Sequence, residues 1–250
     1  VFRDEFSLAF DGSNDHVLTT FQPDYIHTNA TFAMWIKMND LSGSQVMGSH
    51  SSKRWYFGFK NTNAFIGVAN NATDTITITP TPVAGQWLHY AVTAIDGTAT
   101  VYINGIAQST TMSYVQSSST NPVDGFTIGA RNNGGTMQSL MNANISEVVQ
   151  YDKGLSASEV KTLYNDREPY NHKEGVCSSN LKAWWRMGDG ALDSKQNSHT
   201  NTGIVSDETN PTLGSDLLAG KGDFSDASYW SIASGQSIVE NNVGKFLGNG

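Results

Sequence analysis

The sequence predicts an all-β fold: two antiparallel sheets packed face to face as a sandwich, with one short helix and a C-terminal extension. Three observations carry that reading. Apolar residues recur at every second position in short runs, two hairpin-type Xaa-Gly dipeptides separate three of those runs, and Gly, Ser, Thr and Asn fill the intervals. Composition agrees, since aromatic residues make up 10% of the 250 residues and charged residues only 15%, as in turn-rich β proteins long enough to bury a core.

Phe6, Leu8 and Phe10 alternate with small or polar neighbours and run into Asp11 and Gly12, after which His16 to Leu18 resumes, so a strand, a tight turn and a strand are expected. Residues 31–38 place Phe32, Met34, Ile36 and Met38 on one side of the pleat and Trp35 on the other, the pattern of a central strand. Residues 54–60 and 64–68 flank Asn61 to Asn63 and read as a hairpin. The strongest local signal is the run of three strands 87–93, 98–103 and 106–109, joined by Asp96-Gly97 and Asn104-Gly105, dipeptides that accept φ > 0 at both central positions of a type I′ turn.

Residues 110–124 read as a long Ser/Thr-rich loop, 126–129 as a short strand, Arg131 to Gly135 as a second loop, and 143–151 as a strand. Ser156 and Glu159 have capping-box spacing before Val160, Leu163 and Tyr164, which share one helical face. After Arg167 the pattern changes. A sandwich over residues 1–167 is followed by a connector, 168–216, with one docked strand at 181–187 and a polar stretch at 191–214 expected to be extended. A second, β-type unit begins at 217–250, and the chain reads as part of something longer.

A net charge of -8 without any Lys/Arg run removes the electrostatic footprint of a nucleic-acid binder. No stretch approaches the roughly 20 apolar residues of a membrane span, so no membrane insertion is expected. The single cysteine, Cys177, has no partner for a disulfide and no basic cluster beside it in sequence, so an inert thiol is expected.

The residues at 10–17, 32–37, 85–92, 101–105, 127–129, 145–151 and 155–160 fall in the order seen in laminin-G-like, concanavalin-A-like modules, and the chain resembles that superfamily over about residues 5 to 166. The resemblance implies a jelly-roll sandwich that serves as a glycan- or protein-binding appendage. Residues 181–190, with Trp184, Trp185 and the following Arg-Met-Gly-Asp-Gly, resemble an element found after such modules in structural proteins of marine bacteriophages.

Sandwiches of this architecture also carry glucanases, which need two carboxyls about 5 to 5.5 Å apart. No Glu-x-Asp-x-Glu or Glu-x-Asp-x-x-Glu array is present, and Glu147 has no suitably spaced partner, so no enzyme is expected. Ligand contacts are sought at Arg54, Trp55, Arg131, Asn132 and Asn133, where an aromatic face and directed hydrogen bonds suit sugars. The alternative is that Trp55 is core and 131–135 a solvated turn.

No cofactor is required. Related modules imply a structural calcium, for which Asp11, Asn14, Asp15 and Asp152 are the candidates, although residues 11–15 also suit a plain turn. Trp184 and Trp185 must face opposite sides of a strand, so one is expected on the sandwich and the other against a second surface in an assembly. The leading expectation is a non-catalytic virion structural, decoration or tail-appendage protein of a marine phage. It would be oligomeric with other virion or surface subunits, possess a glycan- or host-binding face, and sit on the virion surface or outside the cell. The alternatives are a carbohydrate-binding module of a secreted or surface protein and, last, a divergent glycoside hydrolase.

Overall fold

The computed structural model describes residues 7–19, 21, 29–49, 54–69, 72–115, 125–168, 170–187, 199–202, 206–207, 237–240 and 243–246. The chain divides into two compact units, Val1–Glu208 and Thr209–Gly250. In chain order the first unit contains β1 (Leu8–Asp11), β2 (His16–Thr19), β3 (Ala30–Met38), β4 (Ser44–Ser49), β5 (Arg54–Lys60), β6 (Asn63–Ala69), β7 (Ala72–Ile76), β8 (Trp87–Ile95), β9 (Thr98–Ile103), β10 (Ile106–Ser113), β11 (Thr127–Ile128), β12 (Arg131–Asn133), β13 (Thr136–Gln138), β14 (Asn142–Tyr151), helix α1 (Ala157–Tyr164), β15 (Leu181–Trp185), β16 (His199–Thr202) and β17 (Ser206–Asp207). In the second unit, β18 (Ser237–Glu240) and β19 (Val243–Phe246) pair as an antiparallel hairpin.

Two sheets dominate. An eight-stranded sheet runs β10-β9-β8-β3-β14-β1-β17, with β15 also on β14, and a six-stranded sheet runs β13-β12-β4-β5-β6-β7. A small sheet, β11-β2-β16, completes the first unit. Phe32, Met34 and Ile36 of β3 and Leu88, Tyr90 and Val92 of β8 meet Trp55, Phe57 and Phe59 of β5 in one apolar core. Within it, Phe32 packs edge-on against Trp55 at 5.2 Å and stacks on Phe126 at 4.9 Å. Each such buried ring contributes about 1.5–3 kcal/mol, which is why the period-2 pattern fixes the facing sides of the strands. Among the described residues no helix is long and apolar enough to cross a membrane.

Both expected type I′ turns are present, with φ of 45° and 83° at Asp96 and Gly97 and 50° and 74° at Asn104 and Gly105. The capping box is also present: the Ser156 side chain accepts from Glu159 N and the Glu159 carboxylate accepts from Ser156 N. Other segments depart from expectation. Residues 131–135, read as a loop, form the hairpin of β12 and β13, and β10 runs on to Ser113. Strands β4 and β7 have no strong apolar alternation and owe their conformation to pairing with β5 and β6. Within the polar 191–214 stretch, β16 and β17 add antiparallel to β2 and β1.

Strand β14 organises the large sheet. One edge pairs with β3 along its length, while the other is shared between β1, opposite residues 142–145, and β15, opposite residues 148–151. Between those partners the β3 register slips by one residue, and Glu147 adopts a left-handed conformation at φ 50°. A one-residue bulge reverses the facing of every later side chain. Ala143, Ile145 and Val148 therefore enter the main core, whereas Val149 and Tyr151 join a second apolar cluster on the outer face, with Leu155, Val160, Leu163, Leu181 and Trp184.

Strand β15 is consequently built into the sandwich, because Ala183 and Trp185 enter the main core and Leu181 and Trp184 the outer cluster. Removing Trp185 from a core costs about 3–5 kcal/mol by itself, a large part of the 5–15 kcal/mol typical of a domain. A chain ended after Arg167 is therefore expected to bind a hydrophobic dye and to lose its cooperative thermal transition. A cooperative melt within a few degrees of the full chain would show that β15 is dispensable.

Candidate ligand-binding face

The outer face of the six-stranded sheet carries a hydrogen-bonded polar cluster around Arg131. It is built from a glycine upward. Tyr56 alternates with the buried Trp55 and Phe57, and opposite it on β6 lies Gly67. A Cβ at position 67 would stand 2.3 Å from the Tyr56 ring, so only glycine lets that ring lie flat across the sheet. Arg131, on β12 in register with Gly48, stacks its guanidinium 5.3 Å from the Tyr56 ring centroid. Its terminal nitrogen donates to Gln138 Oε1 at 2.7 Å, and Asn133 Nδ2 donates to the same oxygen at 3.4 Å. Phe65 lies 5.7 Å from Tyr56, with Lys60 Nζ 5.5 Å above its ring.

Arg131 is thereby fixed on two sides before any ligand arrives, which lowers the ordering cost of binding. Its Nε is buried without a hydrogen-bond partner. Of the five residues expected to touch a ligand, the structure brings Arg131 and Asn133 together. Asn132 is buried, and its Oδ1 accepts from Gly135 N at 2.9 Å to shape the hairpin turn. Trp55 is a core residue with no exposed ring face, which corrects its assignment to the ligand set. Arg54 begins β5, and its side chain lies outside the described residues. Tyr56 was legible as the outward alternate of Trp55, whereas Gln138 was not, because its hairpin read as a loop.

Trp184 and Trp185 do face opposite sides of β15, but both are buried within this chain, which corrects their expected role in assembly. Trp185 packs on Phe21 and Phe126 in the core. Trp184 meets His172 at 5.1 Å on the outer face, where residues 170–177 and helix α1 supply the second surface.

The four expected metal ligands do not form one site. Asp11 pairs with Asn142 at the start of β14, whereas Asp152 follows its last residue, so about 30 Å of strand separates them. Asp152 is engaged by Lys182 Nζ at 2.7 Å and Asn180 Nδ2 at 2.9 Å; burial raises its pKa, but these partners outweigh burial and hold it below the usual range. Asp11 Oδ1 accepts from Ser13 N at 2.7 Å and Asn14 N at 3.4 Å, and Asp15 Oδ2 accepts from Asp11 N at 3.0 Å. Asn14 contributes its carbonyl to His16 Nδ1 at 2.9 Å. Asp15 Oδ1 is buried without a partner. Calcium takes six to eight oxygens, and among the described residues no three His, Cys, Asp or Glu side chains are grouped to hold a metal. These residues fit a turn rather than a calcium site.

Glu147 is spent internally. Its Oε2 accepts from Trp184 Nε1 at 2.6 Å and its Oε1 from Arg186 Nε at 3.2 Å, and the Glu147 side chain is only 2% exposed. His172 Nε2 lies 3.9 Å away, yet burial first, then the His89 and Arg186 charges, hold its pKa at about 3, so it stays neutral and shares a 2.7 Å hydrogen bond with the Tyr151 hydroxyl. None of these three partners is a carboxylate, whereas a retaining glycosidase sets two carboxyls about 5 to 5.5 Å apart. His89 is likewise buried, with its pKa lowered to about 3 by desolvation. Cys177 has one basic neighbour, Lys153, whose Nζ lies 3.3 Å away, but Sγ also donates to Glu159 Oε1 at 3.1 Å. Burial and that carboxylate push the thiol up, so it stays protonated.

Arg186→Met, which removes the guanidinium partner of the buried Glu147 carboxylate, is expected to lower stability by about 3–5 kcal/mol in chemical denaturation, and adding Glu147→Leu should recover much of the loss. A loss below 1 kcal/mol would show that the pair is not buried in solution. Burial raises the Glu159 pKa, but Lys153, Ser156 and Cys177 overcome it and lower it to about 2. A depressed carboxyl contributes stability above its unfolded pKa, near 4.5, and that contribution disappears as pH falls to about 2. Glu159→Gln should therefore flatten the melting-temperature profile between those pH values, and an unchanged profile would contradict the ion pair.

A family model described as the concanavalin A-like lectin/glucanases superfamily matches residues 11–161. No curated protein matches the chain. Among solved structures, a candidate carbohydrate-binding protein from Bacteroides ovatus superposes with a TM-score of 0.63 at 13% identity, covering 83% of this chain and 60% of that one. A heptameric SAP-like pentraxin from Limulus polyphemus gives 0.59 at 17% identity, covering 83% of this chain and 96% of that one. At these identities the likeness is one of fold. The match over residues 11–161, with the jelly-roll sheets that contain it, makes this chain a member of the concanavalin A-like lectin/glucanases superfamily.

Proposed function

We propose that the chain is a non-catalytic carbohydrate-binding module displayed outside the cell, with ligand contacts on the outer face of the six-stranded sheet. The observation that carries this reading is the Gly67–Tyr56–Arg131–Gln138–Asn133 cluster, which presents guanidinium and amide groups from one rigid sheet face. Sugar hydroxyls are recognised by such planar donors and acceptors, and Phe65 offers an adjacent apolar face. The fold supports the ligand class, since one structure sharing it is described as a candidate carbohydrate-binding protein. The internal pairing of Glu147 supports the absence of glycoside hydrolysis.

The reading as a marine phage structural subunit loses its tryptophan contact surface, because Trp184 and Trp185 are covered by the chain itself, and rests on the sequence resemblance of residues 181–190 with the polar stretch and second unit that follow.

On a glycan array the full chain should show saturable binding to a restricted set of sugars. Arg131→Ala should weaken that binding by about ten- to a hundredfold, the worth of a charge-assisted hydrogen bond, with its far-ultraviolet spectrum unchanged. Silence across the array, or equal binding by the variant, would overturn the reading.

A further inference from the structure

We infer that Asn133 is a self-modifying site, whose carboxamide is converted by attack of the next backbone nitrogen into a carboxylate that pairs with Arg131. The Gly134 nitrogen bonds to Asn133 Cγ and gives up its proton, the Cγ–Nδ2 bond breaks, and ammonia leaves. A cyclic imide remains. Water opens it at either carbonyl, leaving aspartate or its β-linked isomer at position 133. Amide and water thus become carboxylic acid and ammonia, and no oxidant or cofactor takes part.

Among the described residues the Asn-Gly pair occurs at 104–105 and at 133–134, and their surroundings differ. Asn104 Oδ1 accepts from His89 N at 2.9 Å, and Asn104 N donates to His89 O at 2.8 Å. A Cβ on Gly105 would stand 3.2 Å from both Lys161 Cα and Tyr164 Cβ of helix α1, so neither that carboxamide nor its backbone can turn. Gly134 is exposed at φ 62°, and a Cβ there would meet no atom within 4 Å. Its hairpin joins two three-residue strands, β12 and β13, and β13 is the terminal strand of its sheet. Opening that turn breaks few contacts, and glycine gives the backbone the freedom the attack needs. Asn132 is protected: it is buried, a side-chain-bearing residue follows it, and its Oδ1 accepts from Gly135 N.

Arg131 bears on both the reaction and its result. Its Nη2 and Asn133 Nδ2 reach the same Gln138 Oε1, at 2.7 and 3.4 Å, so the guanidinium lies beside the reacting carboxamide. A fixed positive charge there favours the negative charge that develops on the carboxamide oxygen as the nitrogen adds. After conversion the side chain at 133 can only accept, so it no longer donates to Gln138, and a carboxylate this close draws the guanidinium into a charge-assisted pair. The conversion therefore closes the cluster from within. Its effect on ligand binding rests on the role proposed above for Arg131, whereas the conversion and the new ion pair do not.

Peptide mapping by mass spectrometry, on the full chain held in mildly alkaline buffer, tests the reaction. The peptide carrying Asn133 should gain about 1 Da as NH2 gives way to OH and should resolve into two isomers, while the peptide carrying Asn104 keeps its mass. Gly134→Ala should slow the gain several-fold. In ligand-free Asn133→Asp, with its circular dichroism unchanged, the Arg131 Nε–H resonance should move with a midpoint at or below about pH 4, where a carboxyl titrates, and in the unsubstituted chain it should not. Binding on the glycan array should fall about tenfold or more in the aged chain, the worth of one charge-assisted hydrogen bond. No mass gain at Asn133, an equal gain at Asn104, an undiminished rate in Gly134→Ala, or an Arg131 resonance indifferent to the new carboxylate would each overturn the inference. An array on which the fresh chain binds nothing removes only the binding role, because the mass and resonance measurements are made without ligand.

Discussion

One extra residue in β14 governs how this chain closes. A non-glycine residue in the left-handed region costs about 1–2 kcal/mol, and Glu147 adopts it at φ 50°. The conformation turns the carboxylate to the outer face, where Trp184 and Arg186 donate to it. Hydrogen bonds to a charged group contribute about 1.5–3 kcal/mol each, enough to offset the backbone strain and part of the carboxylate's desolvation. The same bulge divides the free edge of β14 between β1 and β15 and makes room for two apolar clusters on a single strand. Sandwich closure, the seating of helix α1 and the docking of residues 170–187 all depend on it.

That dependence explains what was legible in the sequence. Local rules sufficed where a short segment decides its own conformation: the Asp96-Gly97 and Asn104-Gly105 turns, the Ser156 capping box, and the alternation of Phe32 to Met38. The bulge was hidden because Ala143, Ile145, Glu147, Val149 and Tyr151 sit two apart and read as one uninterrupted face. Strands β4 and β7 were hidden because their order comes from neighbours distant in sequence. The alternation of Trp184 and Trp185 was legible, but the surface covering Trp184 was not, since it is made by α1 and residues 170–177 folding back over β14.

The candidate site shows the same division. Arg131 and Asn133 stand out in sequence as polar residues beside glycines, yet what makes them a site is remote: Gly67 on β6 and Tyr56 on β5 form the floor on which the guanidinium rests. Polar residues that look equally suited to chemistry, Glu147, His172 and Cys177, are neutralised or paired inside the outer cluster. Donors held in place at Arg131 and Asn133, with Glu147 satisfied inside the chain, are what the proposed binding role draws on.

Nuclear magnetic resonance of the full chain during titration with its best glycan addresses that distinction most directly. The account predicts that the Arg131 Nε–H and the side-chain amides of Asn133 and Gln138 shift in proportion to occupancy, while the Trp184 indole N–H, held on Glu147, does not move. Shifts at the Trp184 indole and the Arg186 guanidinium, with the Asn133 and Gln138 amides unmoved, would place the ligand at the buried carboxylate and contradict it.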